Sequence, residues 1–228
     1  MTKPISIAID GPSAAGKSTI ARRIAAELGS IYVDTGAMYR AVGCFALKKG
    51  VATNDAQAVT ALLPEITLNI RYENGEQHIF LNGEDVSETI RRPEMSMAAS
   101  NVSAIPAVRA FLLERQRAFA QTQDVVMDGR DIGTVVLPQA CVKFFLTASP
   151  EERARRRLRD YEAKGQKADF SALLQETILR DKQDSERAAA PLKQAEDAIL
   201  VDSTKLSLEE TVDTMLTIIR QKTAEGTV

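Results

Sequence analysis

At 228 residues, 44% hydrophobic and 26% charged, the chain has the composition of one globular domain with a sizeable core. A net charge of −2 excludes a molecule-wide basic field for nucleic acid or acidic membrane, so any positive work must be local. The opening run MTKPISIAID lacks the apolar length and cleavage site of a signal peptide. No stretch reaches the roughly 18 apolar residues of a membrane span. A cytoplasmic protein is expected, without nucleic-acid or membrane partners. Cys44 and Cys141 have no metal or redox spacing and are expected as reduced core residues.

In chain order, Ile5–Ile9 reads as a buried parallel strand running into a glycine-rich loop. A helix follows from Lys17, with Ile20, Ile24 and Leu28 in step and Gly29 closing it. Ile31–Val33 is a second strand. The order strand, loop, helix, strand begins an α/β sheet with right-handed crossovers. Between about 64 and 90 the pattern alternates, with turn signals at Asn74-Gly75 and Asn82-Gly83, so a small antiparallel meander is inserted here as an appendage. Helical spacing returns at Val108, Leu112 and Phe119. Strands follow at Val125–Met127 and Val142–Leu146, then an arginine-crowded helix over Glu151–Ala163, interrupted at Gly165. Leu174 and Ile178 mark a further helix, and Ala198–Val201 the last strand. Ser207 and Glu210 form a capping box for a final helix with an apolar face of Val212, Met215, Leu216 and Ile219.

The segment Gly11-Pro12-Ser13-Ala14-Ala15-Gly16-Lys17-Ser18 matches G-x-x-x-x-G-K-[ST], between a strand and a helix as that phosphate-binding loop requires. Glycines let the backbone curl its N–H groups toward phosphate oxygens, and the helix starting there adds its positive dipole end. Lys17 can reach the β- and γ-phosphates and the Ser18 hydroxyl can ligate Mg²⁺. ATP is thus the expected donor, held by Gly11–Thr19. No Asn-Lys-x-Asp motif is present, which argues against a GTPase and leaves the small kinases.

Three constellations bear on the acceptor. Asp34-Thr35-Gly36-Ala37-Met38-Tyr39-Arg40 follows the second strand, where ligands of open α/β sheets gather. Asp128-Gly129-Arg130-Asp131 follows another strand; a carboxylate there can accept from an exocyclic amine, and an arginine can clamp phosphate. Arg180, Asp184 and Arg187 share a helical face. On these residues alone the acceptor could be a nucleoside monophosphate or another metabolite.

The runs GPSAAGKST, DTGAMYR, DGRDIGT, Glu151-Glu152-Arg153 and RDKQDSER before Ala190-Pro191-Leu192 closely resemble bacterial cytidylate (CMP) kinases, in the same order over nearly the whole chain. Ala14 stands where many members have Gly. The resemblance implies a P-loop kinase fold: a central parallel sheet flanked by helices, a β insert in the monophosphate-binding region, and an arginine-rich helical lid. One domain is expected, with a core at about 1–34, 101–150 and 169–228, the monophosphate-binding region at 35–100 and the lid at 151–168. It further implies a CMP site of Thr35, Arg40, Arg109, Arg130, Asp131, Arg180, Asp184 and Arg187. Within it, Thr35, Arg109 and Asp131 would read the cytosine edge, Asp184 the sugar hydroxyls, and Arg40, Arg130 and Arg187 the phosphate. Lys17, Arg130 and the lid residues Arg153 and Arg157 would be catalytic.

The reaction implied is transfer of the γ-phosphoryl group of ATP to CMP, and to dCMP, giving ADP and CDP. The attacking phosphate oxygen is already anionic, so no general base is required. The sole histidine, His78, falls in the meander and reads as a surface strand residue. Alignment and charge neutralisation then carry the rate. Arg155 and Arg159 read as solvated. The acid holding the Mg²⁺ waters stays open between Asp34 and Asp128, and a monomer is expected.

Overall fold

A computed structural model describes residues 4–73 and 76–225, so the Asn74-Gly75 turn lies outside the described residues. Five parallel strands form the main sheet: β1 (Ser6–Asp10), β2 (Ile31–Asp34), β6 (Val125–Gly129), β7 (Val142–Thr147) and β8 (Ile199–Asp202), in the order β2-β6-β1-β7-β8. All pairings are parallel, with Ile9 beside Asp128 and Phe144. Strand residues alternate between two packed faces, as a doubly covered parallel sheet demands. Val125 and Met127 join the layer of α2 (Thr35–Lys48), α4 (Glu94–Ser103) and α5 (Pro106–Thr122). Val126, Ile7 and Ile9 join that of α1 (Lys17–Leu28) and α8 (Leu208–Glu225).

Local chemistry sets the helix ends. Gly29 closes α1 at φ 64°, with its N–H on the carbonyls of Ala25 and Ala26. The Asp34 carboxylate caps α2 by accepting from Ala37 N at 2.8 Å. Ser149 caps the arginine helix α6 (Pro150–Ala163), and Asp169 caps α7 (Phe170–Glu186). Ser207 and Glu210 exchange the two bonds of the expected capping box, and the apolar face of α8 is the one read from the sequence.

The inserted meander is a three-stranded sheet of β3 (Leu68–Glu73), β4 (Glu76–Leu81) and β5 (Glu84–Asp85). It is less of an appendage than its alternation suggests. Leu68, Ile79 and Leu81 are buried in the same core as α2, and Gln77 grips both backbone groups of Asp34. A short helix α3 (Ala56–Leu62) precedes it.

One expectation needs correction. Cys44 is buried but Cys141 is exposed, because it stands just before β7 rather than inside it. On α7, Leu173, Thr177 and Asp184 face inward while Ile178 is 52% exposed. The helix thus turns inward the charged face singled out in the sequence, with Asp184 at 3% exposure. Among the described residues no single helix is long and apolar enough to cross a membrane.

Candidate active site

β1 delivers the chain to Gly11 at the middle of the sheet. Gly11 has φ 151°, and a Cβ there would lie 1.9 Å from the Leu146 carbonyl oxygen, so no other residue fits. Gly16 is left-handed at φ 92° and caps the N-terminus of α1. Ala14 is also left-handed, at φ 59°, a conformation that glycine adopts more cheaply.

The Lys17 ammonium is buried and donates to the Pro12 carbonyl at 2.7 Å. Burial, with the Arg130 cation nearby, pulls Lys17 down to about 7. The Ser18 hydroxyl donates to one Asp128 oxygen at 2.9 Å and the Tyr32 hydroxyl to the other at 2.8 Å. Burial, with Asp34 close by, raises the Asp128 carboxyl above its ordinary range.

Beside this loop lies a cleft of about 390 Å³, into which all eight expected acceptor residues converge with Ser13, Lys17 and Ser18. Thr35 donates its hydroxyl to the Asp128 carbonyl at 2.7 Å, and Arg40 pairs with Asp34 at 2.7 Å. The Arg130 guanidinium donates to Asp184 at 2.7 Å. Asp131 lies between Arg109, which hydrogen-bonds it, and Arg187, whose nitrogen is 3.5 Å away. Arg187 also donates to the Ala190 carbonyl and the Ser103 hydroxyl, and Arg180 to the Ser96 hydroxyl.

Positive charge is in surplus. Burial and the neighbouring Arg130 push Arg180 down to about 10, and burial with Arg109 lowers Arg187. Burial alone would raise Asp184, but Arg130 and Arg180 outweigh it and hold its carboxyl below the usual range. Asp131 is raised, chiefly by burial. The Nε atoms of Arg40 and Arg180 are buried without a hydrogen-bond partner. Buried guanidinium donors left over in a cleft suit an anion with several oxygens.

The lid arginines divide by position. Arg153 is 2% exposed, bonded to Asp181 and donating to the carbonyls of Ala148 and Ser13. Arg156 donates to the carbonyls of Ala15 and Ser203. Both therefore grip the phosphate loop from its outer side. Arg157 reaches across to Glu176 at 2.8 Å and is partly exposed. Arg155 and Arg159 are solvated, as expected, and lean on Glu152. His78 is a surface strand residue whose ring meets Asp85.

The sequence alone marks no site role for Ser96, Ser103 and Arg156, nor for Asp181 within its RDKQDSER run. Serines on helices read as ordinary polar positions, and Asp181 pairs across 28 residues.

A family model described as "Cytidylate kinase" matches residues 7–221, almost the entire chain. The chain belongs to the cytidylate kinase family. A cytidylate kinase of Listeria innocua is 51% identical over 223 residues, covering 97% of this chain and 99% of that protein. One from Caldicellulosiruptor bescii is 50% identical over 214 residues, covering 94% and 95%. Among solved structures, a gluconokinase from Sinorhizobium meliloti 1021 covers both chains fully at 14% identity and a TM-score of 0.51, a likeness of fold alone. Cytidylate kinase membership agrees with a phosphate loop facing an arginine-lined cleft.

Proposed function

We propose that the enzyme moves the γ-phosphoryl group of ATP to CMP, and to dCMP, forming ADP and CDP or dCDP. One observation carries this reading: seven arginines and four aspartates from separate segments, among them all eight expected acceptor residues except Thr35, meet in the cleft that Thr35, Lys17 and Ser18 also line. In it, Arg40, Arg130 and Arg187 hold the acceptor phosphate and Lys17 the donor's terminal phosphates. Thr35, Arg109 and Asp131 read the cytosine edge, where a carboxylate can accept from the exocyclic amine that uracil lacks. Arg180 and Asp184 hold the sugar hydroxyls.

The nucleophile is a phosphate oxygen, so the residues orient and neutralise rather than abstract a proton. Ser18 and Asp128 offer hard oxygen donors 2.9 Å apart, a set that suits Mg²⁺ with most of its shell left to water and phosphate. The Ser18 contact favours Asp128 over Asp34, which is committed to capping α2 and to Arg40. Mg²⁺, when bound, neutralises charge on the β- and γ-oxygens. Arg157 leaves Glu176 to reach the transferring group, while Arg153 keeps the loop in shape from behind. The inserted 64–90 region and the arginine helix with Gly165 are the parts that close over the two substrates. Every residue assigned a role here lies on one chain, so a monomer can form the complete site.

Initial velocities against CMP, dCMP, UMP and AMP at fixed ATP test this. The expected order puts CMP and dCMP first. A clear preference for UMP or AMP would overturn the acceptor reading.

A further inference from the structure

Asp10 is the last residue of β1, immediately before Gly11, and it belongs to no motif. Its side chain is buried, yet both carboxylate oxygens are used. Oδ1 accepts from the Ile132 backbone N–H and Oδ2 from that of Gly133, each at 2.7 Å. These N–H groups open a single wide turn over Ile132–Val136, directly after Arg130 and Asp131.

The turn is pinned on both sides of that pair. A Cβ on Gly129 would lie 2.6 Å from the Ile132 side chain, so Ile132 seats against the bare backbone of Gly129. Arg130 and Asp131 therefore project from a short span fixed at Gly129 by Ile132 and at Ile132-Gly133 by Asp10. Arg117 ties the far end of the turn through the carbonyls of Val135 and Val136.

Keeping a charge here is costly. Burial pushes Asp10 up to about 6 in spite of both N–H groups, with Asp131 opposing and Lys17 favouring its charge. A neutral residue would avoid that cost, but it would not supply two acceptors to two adjacent donors.

We propose that Asp10 is a positioning residue that joins the two halves of the site. By holding the 129–133 span from the root of the phosphate loop, it sets Arg130 and Asp131 in register with the donor. The inference rests on the acceptor roles proposed for Arg130 and Asp131. Its effect is distinguishable from theirs, because Asp10 lies outside the cleft lining and its side-chain hydrogen bonds go to the backbone of the turn.

The test is Asp10→Asn, which keeps the shape but turns one acceptor into a donor facing an N–H. One broken buried hydrogen bond predicts a rise in KM for CMP of about 10- to 100-fold, with a fall in CMP over UMP discrimination. ATP affinity, measured by calorimetry with the nucleotide alone, should stay within about threefold because the loop's own backbone is untouched. Gly133→Ala perturbs the same turn at its second donor, since its Cβ would lie 3.1 Å from the Lys143 stem, which must give by a few tenths of an ångström, and in ordinary contact at 3.4 Å from Asp10 Oδ2. It should show the same split at about threefold or more. If Asp10→Asn is not recovered folded, Gly133→Ala decides alone.

Unchanged KM and discrimination in the folded variants would overturn the proposal, as would an equal loss of ATP and CMP binding. The wild-type acceptor panel, run alongside, separates the two readings. If it prefers another acceptor, the CMP reading fails, and the ATP-against-acceptor split in the variants still judges Asp10 with that acceptor.

Discussion

The donor loop and the acceptor cleft face each other but are made of different materials. Gly11–Thr19 is contiguous and works through backbone shape, with left-handed residues at Ala14 and Gly16 and no room for a side chain at Gly11. The cleft is assembled from side chains on α2, α5, the turn after β6, and α7, held apart and aimed by ion pairs such as Arg130–Asp184 and Arg40–Asp34. A backbone device fails when it gains atoms, and a side-chain device fails when it loses them. The phosphate loop should therefore break under small additions, and the cleft should lose function by degrees.

The largest effect follows from crowding the loop. Gly11→Ala would place a methyl on the Leu146 carbonyl and strain a positive φ, at a cost of about 3 kcal/mol or more. We expect a strongly lowered melting temperature and no measurable kinase activity. Near-normal activity would mean the loop is not fixed by that contact.

Arg157→Ala comes next and separates the exposed lid arginine from the buried Arg153. Turnover should fall on the order of 10³-fold, while KM for CMP moves little, because the side chain acts on the transferring group. Steady-state kinetics decide this, and near-wild-type turnover would rule out the role.

A pH effect of intermediate size marks the donor half. Lys17 is held down to about 7 in the free enzyme, so it is mostly neutral at pH 8. Triphosphate favours the cation, so binding ATP at pH 8 should take up a proton. ATP affinity should weaken about tenfold for each pH unit above that value. Calorimetry in buffers of different ionisation enthalpy should show uptake near one proton at pH 8, vanishing toward pH 6. No uptake at pH 8 would show that Lys17 is already charged.

The smallest effect comes from removing atoms from the loop. Ala14→Gly relieves a left-handed alanine and should stabilise the fold by about 0.5–1 kcal/mol, after the entropy of the added glycine is counted. Thermal unfolding reads it directly. A loss of stability would mean that the Ala14 methyl makes a favourable contact.

The same contrast governs how much was legible in the sequence. The loop could be read because its determinants are contiguous and its glycines are dictated by backbone geometry. Strand positions were legible to within a residue or two, since the inner strands are buried on both faces and their runs are short and mostly apolar, bounded by turn signals. On α7 the charged face was legible from the spacing of Arg180, Asp184 and Arg187, while its apolar residues marked only that a helix is there. Arg180, Asp184 and Arg187 turn into the cleft and leave Ile178 and Leu179 outside. Hydrophobic periodicity cannot report which way such a helix faces. Arg153 could not be told from Arg157, because its burial depends on Asp181 on another helix. Asp10 was missed for a similar reason: its partners are backbone N–H groups more than a hundred residues away.

The central claim, that side chains of the cleft choose the acceptor while the loop only holds the donor, is tested most directly by Asp131→Asn. Kinetic constants for CMP, UMP and ATP should be measured on this variant and the wild type. The account predicts that kcat/KM for CMP falls relative to UMP by the equivalent of about 1–3 kcal/mol, because a neutral amide keeps one acceptor oxygen of the two and loses the charge that strengthens the bond to the cytosine amine. KM for ATP should stay unchanged. An unaltered CMP to UMP ratio, or a loss shared equally by ATP, would contradict it.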